Sequence, residues 1–422
     1  MKSRKEIPAA KGEIEAGNIA EQLKIIMKGV EEIIGLEDLN KKLQKSNETG
    51  RPLIIKLGLD PSAPDIHLGH TVVLRKIKQF QDMGHKAVII IGDFTGMIGD
   101  PTGRSKTRKQ LTRDEVIENA LTYQNQIFKI LDKGRTEVKF NSEWLSKLDF
   151  TAVMQLAARC TVARMLERED FKNRFKEHES IGIHEFFYPL MQGYDSVELS
   201  ADVEIGGTEQ RFNILMGRGL QKDYGQESQA ALFMPILEGI DGVDKMSKSF
   251  GNYVGIDEAP DQMFGKLMSI PDNLIIRYFE LATDIHPDEL ELLREQMDKE
   301  KVNPRDAKMS LASEITKLYH GADTAKRAVE NFTKVFQKRE MPENIPEFTV
   351  TETDALAGKT GMDIIKLLVS AKLVSSNSEA RRLIAQGGVK VNGVKQNAFT
   401  GVTLGEGDII QAGKLKFIKL KF

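Results

Sequence analysis

The chain has 422 residues, 40% of them hydrophobic and 29% charged, with a formal net charge of −2; these are the proportions of a folded globular protein, not a disordered one. Its one cysteine, Cys160, excludes an intrachain disulfide framework and a multi-cysteine zinc site, and it fits a reducing compartment such as the cytoplasm. No apolar run approaches the ~18 residues of a transmembrane helix, and the opening MKSRKEIPAAKG lacks the apolar stretch of a signal peptide, so neither a membrane nor a secreted protein is expected.

Residues 13–47 read as one helix, with Ile14, Ile19, Leu23, Ile26, Val30 and Ile33 at helical spacing. Leu53–Leu59 is a short apolar run, and residues 69–83 return to helical spacing before a stop at Gly84. Lys86–Ile91 is apolar on both faces, as in the middle of a parallel sheet. Strand, helix and strand in this order make a βαβ unit, the opening of a Rossmann-like, doubly wound α/β domain. Further strands are expected at Thr136–Phe140, Ser196–Ile205 and Ala231–Leu237. Residues 255–338 are helical by pattern, with breaks at Pro260, Pro271, Pro287 and Pro304.

The expected domains are therefore an N-terminal helix and Rossmann-like unit over 1–254, a helical domain over 255–340, a linker over 341–358 and a small α+β unit over 359–422. The last of these carries eleven basic and four acidic residues, a net of +7, which leaves −9 for the rest. Such an asymmetry suits nucleic-acid binding and a solvated lysine-rich surface about equally. Within it, Val389-Lys390-Val391-Asn392-Gly393 has the alternation and turn residues of a hairpin. Ser378 is expected to cap a helix that Gly387 ends.

Three segments carry chemistry. His67-Leu68-Gly69-His70 lies between the first strand and the first long helix, where open α/β sheets bind ligands. Two imidazoles there can donate to phosphate oxygens, and Gly69 lets a flat ring approach the backbone. A surface His pair, or a metal site lacking a third ligand, would look the same. Lys245-Met246-Ser247-Lys248-Ser249, among Gly239, Gly242 and Gly251, is a mobile loop whose lysines could clamp a polyphosphate; alone, such a loop is usually just solvated surface, and the His67–His70 segment upstream reverses that reading. Tyr188, Gln192 and Asp195 stand at i, i+4 and i+7, on one helix face. A solvent-facing stripe would have the same pattern.

Taken together and in this order, these segments, with Gly92–Gly103 and Gly206–Gln210, resemble the bacterial tyrosyl-tRNA synthetases of class I, from about residue 50 onward. Leu68 replaces the usual isoleucine of the first signature motif. Residues 376–393 look like an S4 RNA-binding domain. The resemblance implies that Tyr188, Gln192 and Asp100 hold the α-ammonium of tyrosine, with Gln210 nearby, and that Asp195 accepts from the phenol hydroxyl. It implies that Gly58 and Asp60 line the cleft and that Ser62, His67 and His70 contact the ATP phosphates, with Gly69 under the adenine. Gly207 and Glu209 would approach the ribose, while Arg104, Arg108, Lys245 and Lys248 would reach the pyrophosphate. Arg381, Arg382 and Lys390 would contact RNA backbone. ATP is the implied co-substrate, Mg²⁺ arriving with it rather than in a protein cage, and the partners are tRNA(Tyr), L-tyrosine and a second copy of the chain.

Two departures stand out. Lys56 replaces a tyrosine that part of the family places beside the substrate hydroxyl, and a buried lysine needs a partner, for which Asp195 is the expected one. Glu209 stands where the family usually has aspartate. Two rival readings are a tryptophanyl-type enzyme, which normally lacks an S4-like domain, and a synthetase-like RNA-binding protein without catalysis, against which the intact signature motifs argue.

Overall fold

The computed structural model describes residues 18–59, 66–97, 122–337, 345–350, 363–374, 376–397, 402–413 and 416–422. Asp60, Ser62, Asp100, Arg104 and Arg108 lie outside these described residues. The chain divides into two compact units, Met1–Lys326 and Arg327–Phe422.

The first unit begins with α1 (Ile19–Met27), whose N-cap Asn18 accepts a hydrogen bond from the Glu21 amide at 3.2 Å. The single helix expected over 13–47 is interrupted. Gly29 and Gly35 adopt φ of +67° and +84°, and the chain between them forms β1 (Glu32–Ile34) before α2 (Leu36–Thr49). Only glycine enters that left-handed region cheaply, so these two residues set the break. Then follow β2 (Ile54–Leu59), α3 (Leu68–Asp82), β3 (Lys86–Ile91) and β4 (Thr136–Phe140). Short helices come next: α4 (Ser142–Leu145), α5 (Phe150–Ala157), α6 (Val162–Met165) and α7 (Glu169–Lys176). They lead to α8 (Phe187–Leu199), β5 (Val203–Gly207), α9 (Arg211–Asp223) and β6 (Ala230–Met234). The strand expected over Ser196–Ile205 is thus two elements. Val197, Leu199, Ala201, Val203 and Ile205 alternate in sequence, but the first two close α8, which stops at Ser200 with φ +48°.

The strands form one six-stranded sheet in the order β1-β6-β5-β2-β3-β4, parallel throughout except for β1 against β6. The chain winds outward from β2 through β3 to β4 on one side, and β5 to β6 lie on the other. The switch point therefore lies between β2 and β5, and ligands of such sheets bind at the carboxyl ends there. β6 is buried at every position and β3 at all but its first residue, as expected of strands packed on both faces.

Helix α3, which opens on the His67 segment, is tied down from below. Lys76 is 2% exposed, and its Nζ donates to the carbonyls of Ile25 (3.2 Å), Ile26 (2.8 Å) and Lys28 (2.7 Å), closing the end of α1. Burial holds this ammonium well below its usual pKa. Next to it, Arg75 Nε donates to the carbonyl of Ala282 at 3.0 Å. The proline breaks are helix starts: α10 (Pro260–Met268), α12 (Pro287–Asp298) and α13 (Pro304–His320) each begin on proline, where the missing N–H costs nothing. Between α10 and α12, Pro271 caps a 3₁₀ turn that runs into α11 (Ile275–Ala282). The helix α14 (Ala322–Gln337) follows α13.

In the second unit, β7 (Glu347–Thr349) precedes α15 (Ile364–Ser370), α16 (Asn377–Ala385), β8 (Val389–Val391), β9 (Val394–Lys395), β10 (Ile409–Ala412) and β11 (Lys416–Lys421). The sheet order is β7-β11-β10-β8-β9, with β7 parallel to β11. Residues 347–349, read from sequence as part of a linker, are thus an edge strand. Their partner lies 72 positions away, as in Glu347 opposite Lys419, so no local pattern announces it. The expected hairpin is present: β8 and β9 pair antiparallel around Asn392 (φ +48°) and Gly393 (φ +82°), the left-handed pair of a two-residue turn. The helix cap is Ser376, which accepts from the Glu379 amide at 3.2 Å, and not Ser378; Gly387 (φ +69°) follows the helix end as expected. Ile364, Leu367, Leu368, Ile384, Val389 and Ile410 are at the centre of the core.

Candidate active site

The site forms around the ends of β2 and β5. His67 begins α3 with an extended backbone and is 7% exposed. Its ring stacks on that of His70 at 3.8 Å between centroids. The His67 amide donates to His70 Nδ1 at 3.3 Å, which leaves the His70 proton on Nε2. Nδ1 of His67 is buried without a hydrogen-bond partner. Burial pushes His67 down to about 3, helped by its neighbours His70 and Lys248, and pushes His70 down to about 4, helped by Lys248. Both imidazoles are therefore neutral near pH 7, so any donor they offer a phosphate is an uncharged N–H.

The lysine loop meets this helix start. The Gly69 amide donates to Met246 Sδ at 3.3 Å across 177 residues of sequence, and a Cβ on Gly69 would press on the His67 ring at 3.0 Å. The loop is held by Asn252, whose Oδ1 accepts from the Ser247 amide at 2.8 Å and whose Nδ2 donates to Asp241 at 2.6 Å. Met246 is buried, Lys245 is exposed and Lys248 is partly exposed. The structure therefore brings the two signature segments together, with Lys248 close enough to both imidazoles to repel their protonation.

Beside them runs α8. Its stripe faces inward rather than toward solvent: Tyr188 is 5% exposed and Asp195 is 3% exposed. Gln192 Oε1 accepts from Asn213 Nδ2 at 3.0 Å, and the same nitrogen reaches Gln210 Oε1 at 3.1 Å, so one amide sets both glutamines. Asn213 is in turn held by Arg168, whose Nη1 donates to Asn213 Oδ1 at 3.2 Å. Gly58 is exposed at the end of β2. Gly207 closes β5, and Glu209 folds back on it so closely that a Cβ on Gly207 would collide with its carboxylate.

The expected Lys56–Asp195 pair does not form. Lys56 is fully buried, and its Nζ lies 2.9 Å from Glu204 Oε1, the residue directly opposite it in the β2–β5 ladder. It also donates to Ser196 Oγ at 2.7 Å and to the Gln192 carbonyl at 2.9 Å. The carboxylate of Glu204 is nearer than that of Asp195 because it is the cross-strand neighbour. That register is invisible before β5 is placed.

Asp195 instead receives two neutral donors: Trp144 Nε1 on Oδ1 at 2.8 Å and Asn141 Nδ2 on Oδ2 at 3.4 Å. Burial lifts its carboxyl to about 7, against the pull of Lys56, Trp144 and Asn141, and Glu204 adds to the rise. Trp144, Asn141, Asn213 and Arg168 escaped the sequence reading. The only signal was Trp144's position just past a strand end. Arg381 and Arg382 are exposed on α16, and Lys390 stands opposite Lys395 in the hairpin of the second unit. Among the described residues, no group of three or more His, Cys, Asp or Glu is arranged to hold a metal ion.

Comparison with known proteins agrees with this geometry. Residues 47–337 match the family described as tRNA synthetases class I (W and Y), and residues 339–414 match the SYY-like C-terminal domain of tyrosine–tRNA ligases. A tyrosine–tRNA ligase 2 of Clostridium acetobutylicum is 60% identical over 403 residues, covering 96% of this chain and 99% of its own. A tyrosine–tRNA ligase of Moorella thermoacetica is 56% identical, covering 95% and 96%. A C-terminally truncated mitochondrial tyrosyl-tRNA synthetase of Coccidioides posadasii superposes with a TM-score of 0.60 at 26% identity, over 75% of this chain and 93% of that one. The tyrosyl-tRNA synthetase of Archaeoglobus fulgidus, solved with L-tyrosine, gives 0.59 at 24% over 74% and 100%, a likeness of fold. With the two signature segments joined at Gly69 and Met246 and the two family matches covering residues 47–337 and 339–414, the protein belongs to the class I tRNA synthetases of the tryptophan and tyrosine type, on the tyrosine–tRNA ligase side.

Proposed function

We propose that the chain activates L-tyrosine with ATP and transfers it to the 3′ end of tRNA(Tyr). The observation that carries this reading is the meeting of the two signature segments, through Gly69 and Met246, beside the buried Tyr188 and Asp195 and the half-buried Gln192. In the first step the tyrosine carboxylate attacks the α-phosphorus of ATP; a P–O bond forms, and the bond to pyrophosphate breaks. In the second, a ribose hydroxyl of the tRNA end attacks the tyrosyl carbonyl, and AMP leaves. Positioning and charge stabilisation carry the rate, without a covalent nucleophile. Tyr188, Gln192 and Gln210, with Asp100, take the ammonium, and Asp195 takes the phenol hydroxyl. Lys56 acts from beneath, holding the Gln192 carbonyl and so the pitch of α8. Gly58 and Asp60 line the cleft, and Gly207 and Glu209 face the ribose. The neutral N–H groups of His67 and His70, with Ser62, meet the phosphates over Gly69. Lys245, Lys248, Arg104 and Arg108 take the pyrophosphate, with Mg²⁺ travelling on ATP.

The second unit binds tRNA through Arg381, Arg382 and Lys390, supported by the exposure of both arginines on one helix. The protein works as a homodimer in the cytoplasm. The dimer is supported by a cluster in sequence of exposed apolar side chains, Phe150, Met154, Val162, Phe175 and Ile183, all 53% exposed or more. Tyrosine-dependent exchange of pyrophosphate into ATP, run in parallel with phenylalanine and tryptophan, tests the function. Exchange with tyrosine alone is expected, and exchange driven by tryptophan would overturn the assignment. Sedimentation of the full chain over a concentration series tests the dimer; a monomer throughout would refute it.

A further inference from the structure

The residues that open α3 and those that follow the lysine loop are far apart in sequence, yet they run side by side. They form an antiparallel bridge at His67 and Gly255. Two amides cross it: Ile256 donates to the Ile66 carbonyl at 3.2 Å, and Leu68 donates to the Val254 carbonyl at 2.9 Å. A third element braces this short ladder. Gln126, 5% exposed in the helical segment 122–127 that precedes β4, accepts from the Ile66 amide through Oε1 at 2.6 Å. Its Nε2 donates to Asp257 Oδ2 at 2.7 Å, and the Lys129 ammonium takes the other oxygen of Asp257. The segment is fixed again at Glu258, whose Oε1 accepts from the Gly255 amide at 2.9 Å and from Lys266 Nζ at 2.6 Å. Ile66, Val254 and Ile256 are buried, so water does not compete for these backbone groups.

We propose that Gln126 is a positioning residue for the ATP end of the cleft: by holding the Ile66 amide and the Asp257 carboxylate at once, it sets the spacing between the imidazoles that open α3 and the lysines of the loop. The proposal rests on the reading that these two groups straddle the ATP polyphosphate. A primary amide suits the task, since its oxygen accepts from a backbone N–H while its nitrogen donates to a carboxylate. The bond to Asp257 is charge-assisted, the stronger kind. Without the amide, the Ile66 N–H is a buried donor left unsatisfied, and the ladder keeps its two backbone bonds with no brace. The polyphosphate must reach both sets of donors in the transition state, and a misplacement of about 1 Å between such groups can cost on the order of 100-fold in rate. The tyrosine end is carried by α8 and α9, so tyrosine affinity is spared.

The test measures pyrophosphate exchange, per active site, in full-length wild type, Gln126→Glu, Gln126→Glu/Asp257→Asn and Lys248→Ala. In Gln126→Glu the new carboxylate can still accept from the Ile66 amide, but it turns a second negative charge on Asp257. The double variant reverses the contact: the new amide at 257 donates to the new carboxylate at 126, and the brace is whole again. Gln126→Glu is expected to lower kcat/KM for ATP at least ~10-fold, the scale of one hydrogen bond to a charged group, and to leave KM for tyrosine within about twofold of wild type. The double variant is expected to return kcat/KM for ATP to within about threefold of wild type. An unchanged kcat/KM for ATP in Gln126→Glu, a KM for tyrosine that rises as far as kcat/KM for ATP falls, or a double variant no better than Gln126→Glu overturns the positioning role. Exchange unaffected in Lys248→Ala overturns instead the reading on which it rests. The wild type supplies an arm that needs no variant. In amide hydrogen exchange, peptides spanning 66–70 and 254–257 are expected to gain protection together when ATP and Mg²⁺ are added. Protection gained by one alone, or by neither, overturns the proposal.

Discussion

Replacing Lys56 by methionine isolates the pair that the sequence led us to place elsewhere. Lys56 and Glu204 have side chains 0% and 2% exposed, and their charged atoms lie 2.9 Å apart. Water screens neither. Methionine fills the volume but leaves the Glu204 carboxylate with only Ser196 Oγ, at 3.0 Å, and the Gln229 amide. Removing one partner of a buried pair costs about 3–5 kcal/mol, because the survivor is a buried charge with no counterion. Taking both away, as in Lys56→Met/Glu204→Leu, removes that charge. What remains is the orphaning of Ser196 and Gln229, at about 1 kcal/mol each. The double variant should thus recover at least part of what the single variant loses. Urea unfolding at pH 7, followed by the emission of Trp144, reads the first unit alone because that unit holds the sole tryptophan. With m of about 2–3 kcal/mol/M, the single variant should unfold at roughly 1–2 M less urea than wild type. A single variant within 1 kcal/mol of wild type, or a double variant weaker than the single, would refute the reasoning.

Lys248→Ala should slow adenylate formation about 100-fold and leave KM for tyrosine nearly unchanged, since its charge meets the polyphosphate as the transition state forms; pre-steady-state adenylate kinetics check it, and equal losses in both would remove the role. Truncation after residue 340, outside the β7–β11 pairing, should keep tyrosine-dependent exchange within about threefold, lower tRNA charging by about two orders of magnitude and flatten the salt dependence of tRNA binding. A folded truncate that loses exchange would contradict the division of labour. Acid should destabilise the first unit. His67 and His85, buried and pushed down to about 3 and about 4, contribute stability present above 6.5 and lost as pH falls toward those values. Asp195, raised to about 7, works in the opposite sense: its contribution is present below 3.8 and lost as pH rises through 7. His67 and His85 against one aspartate leave a net loss of about 1.4 kcal/mol per pH unit between pH 6.5 and 4, to which the more exposed His70, also pushed down to about 4, adds a smaller loss of the same sign, and Asp195→Asn should steepen it. Stability that is flat or rising toward acid would show that the balance is misjudged.

What the sequence made legible were elements whose signals are local. Lys86–Ile91 and Thr136–Phe140 are strands with the expected bounds, because an apolar run between turn residues has few other readings. The prolines at 260, 287 and 304 open helices, and Asn392-Gly393 turns its hairpin. Local pattern failed where a distant strand decides. β1 exists because β6, about 200 residues later, offers it an edge, and β7 because β11 does. The same holds for the site. The stripe on α8 was readable from spacing, but its direction was not, and the choice of Glu204 over Asp195 for Lys56 follows from a parallel register that no single segment encodes. Trp144 and Asn213 act through contacts across dozens of residues or through a neighbouring amide, which spacing does not reveal.

The place of β11 in the second sheet has a consequence for synthesis. This strand lies between β7 and β10, and it ends one residue before Phe422. A sheet whose inner strand follows all its other strands in sequence cannot close until that strand has left the ribosome, although the first unit, which ends at residue 326, can fold before it. Chains cut short before β11 would carry β7 and β10 with their facing edges unpaired. Exposed edges of that kind invite aggregation and clearance. β11 thus decides whether the second sheet is finished: a chain lacking it presents two open edges where the closed sheet has none between β7 and β10.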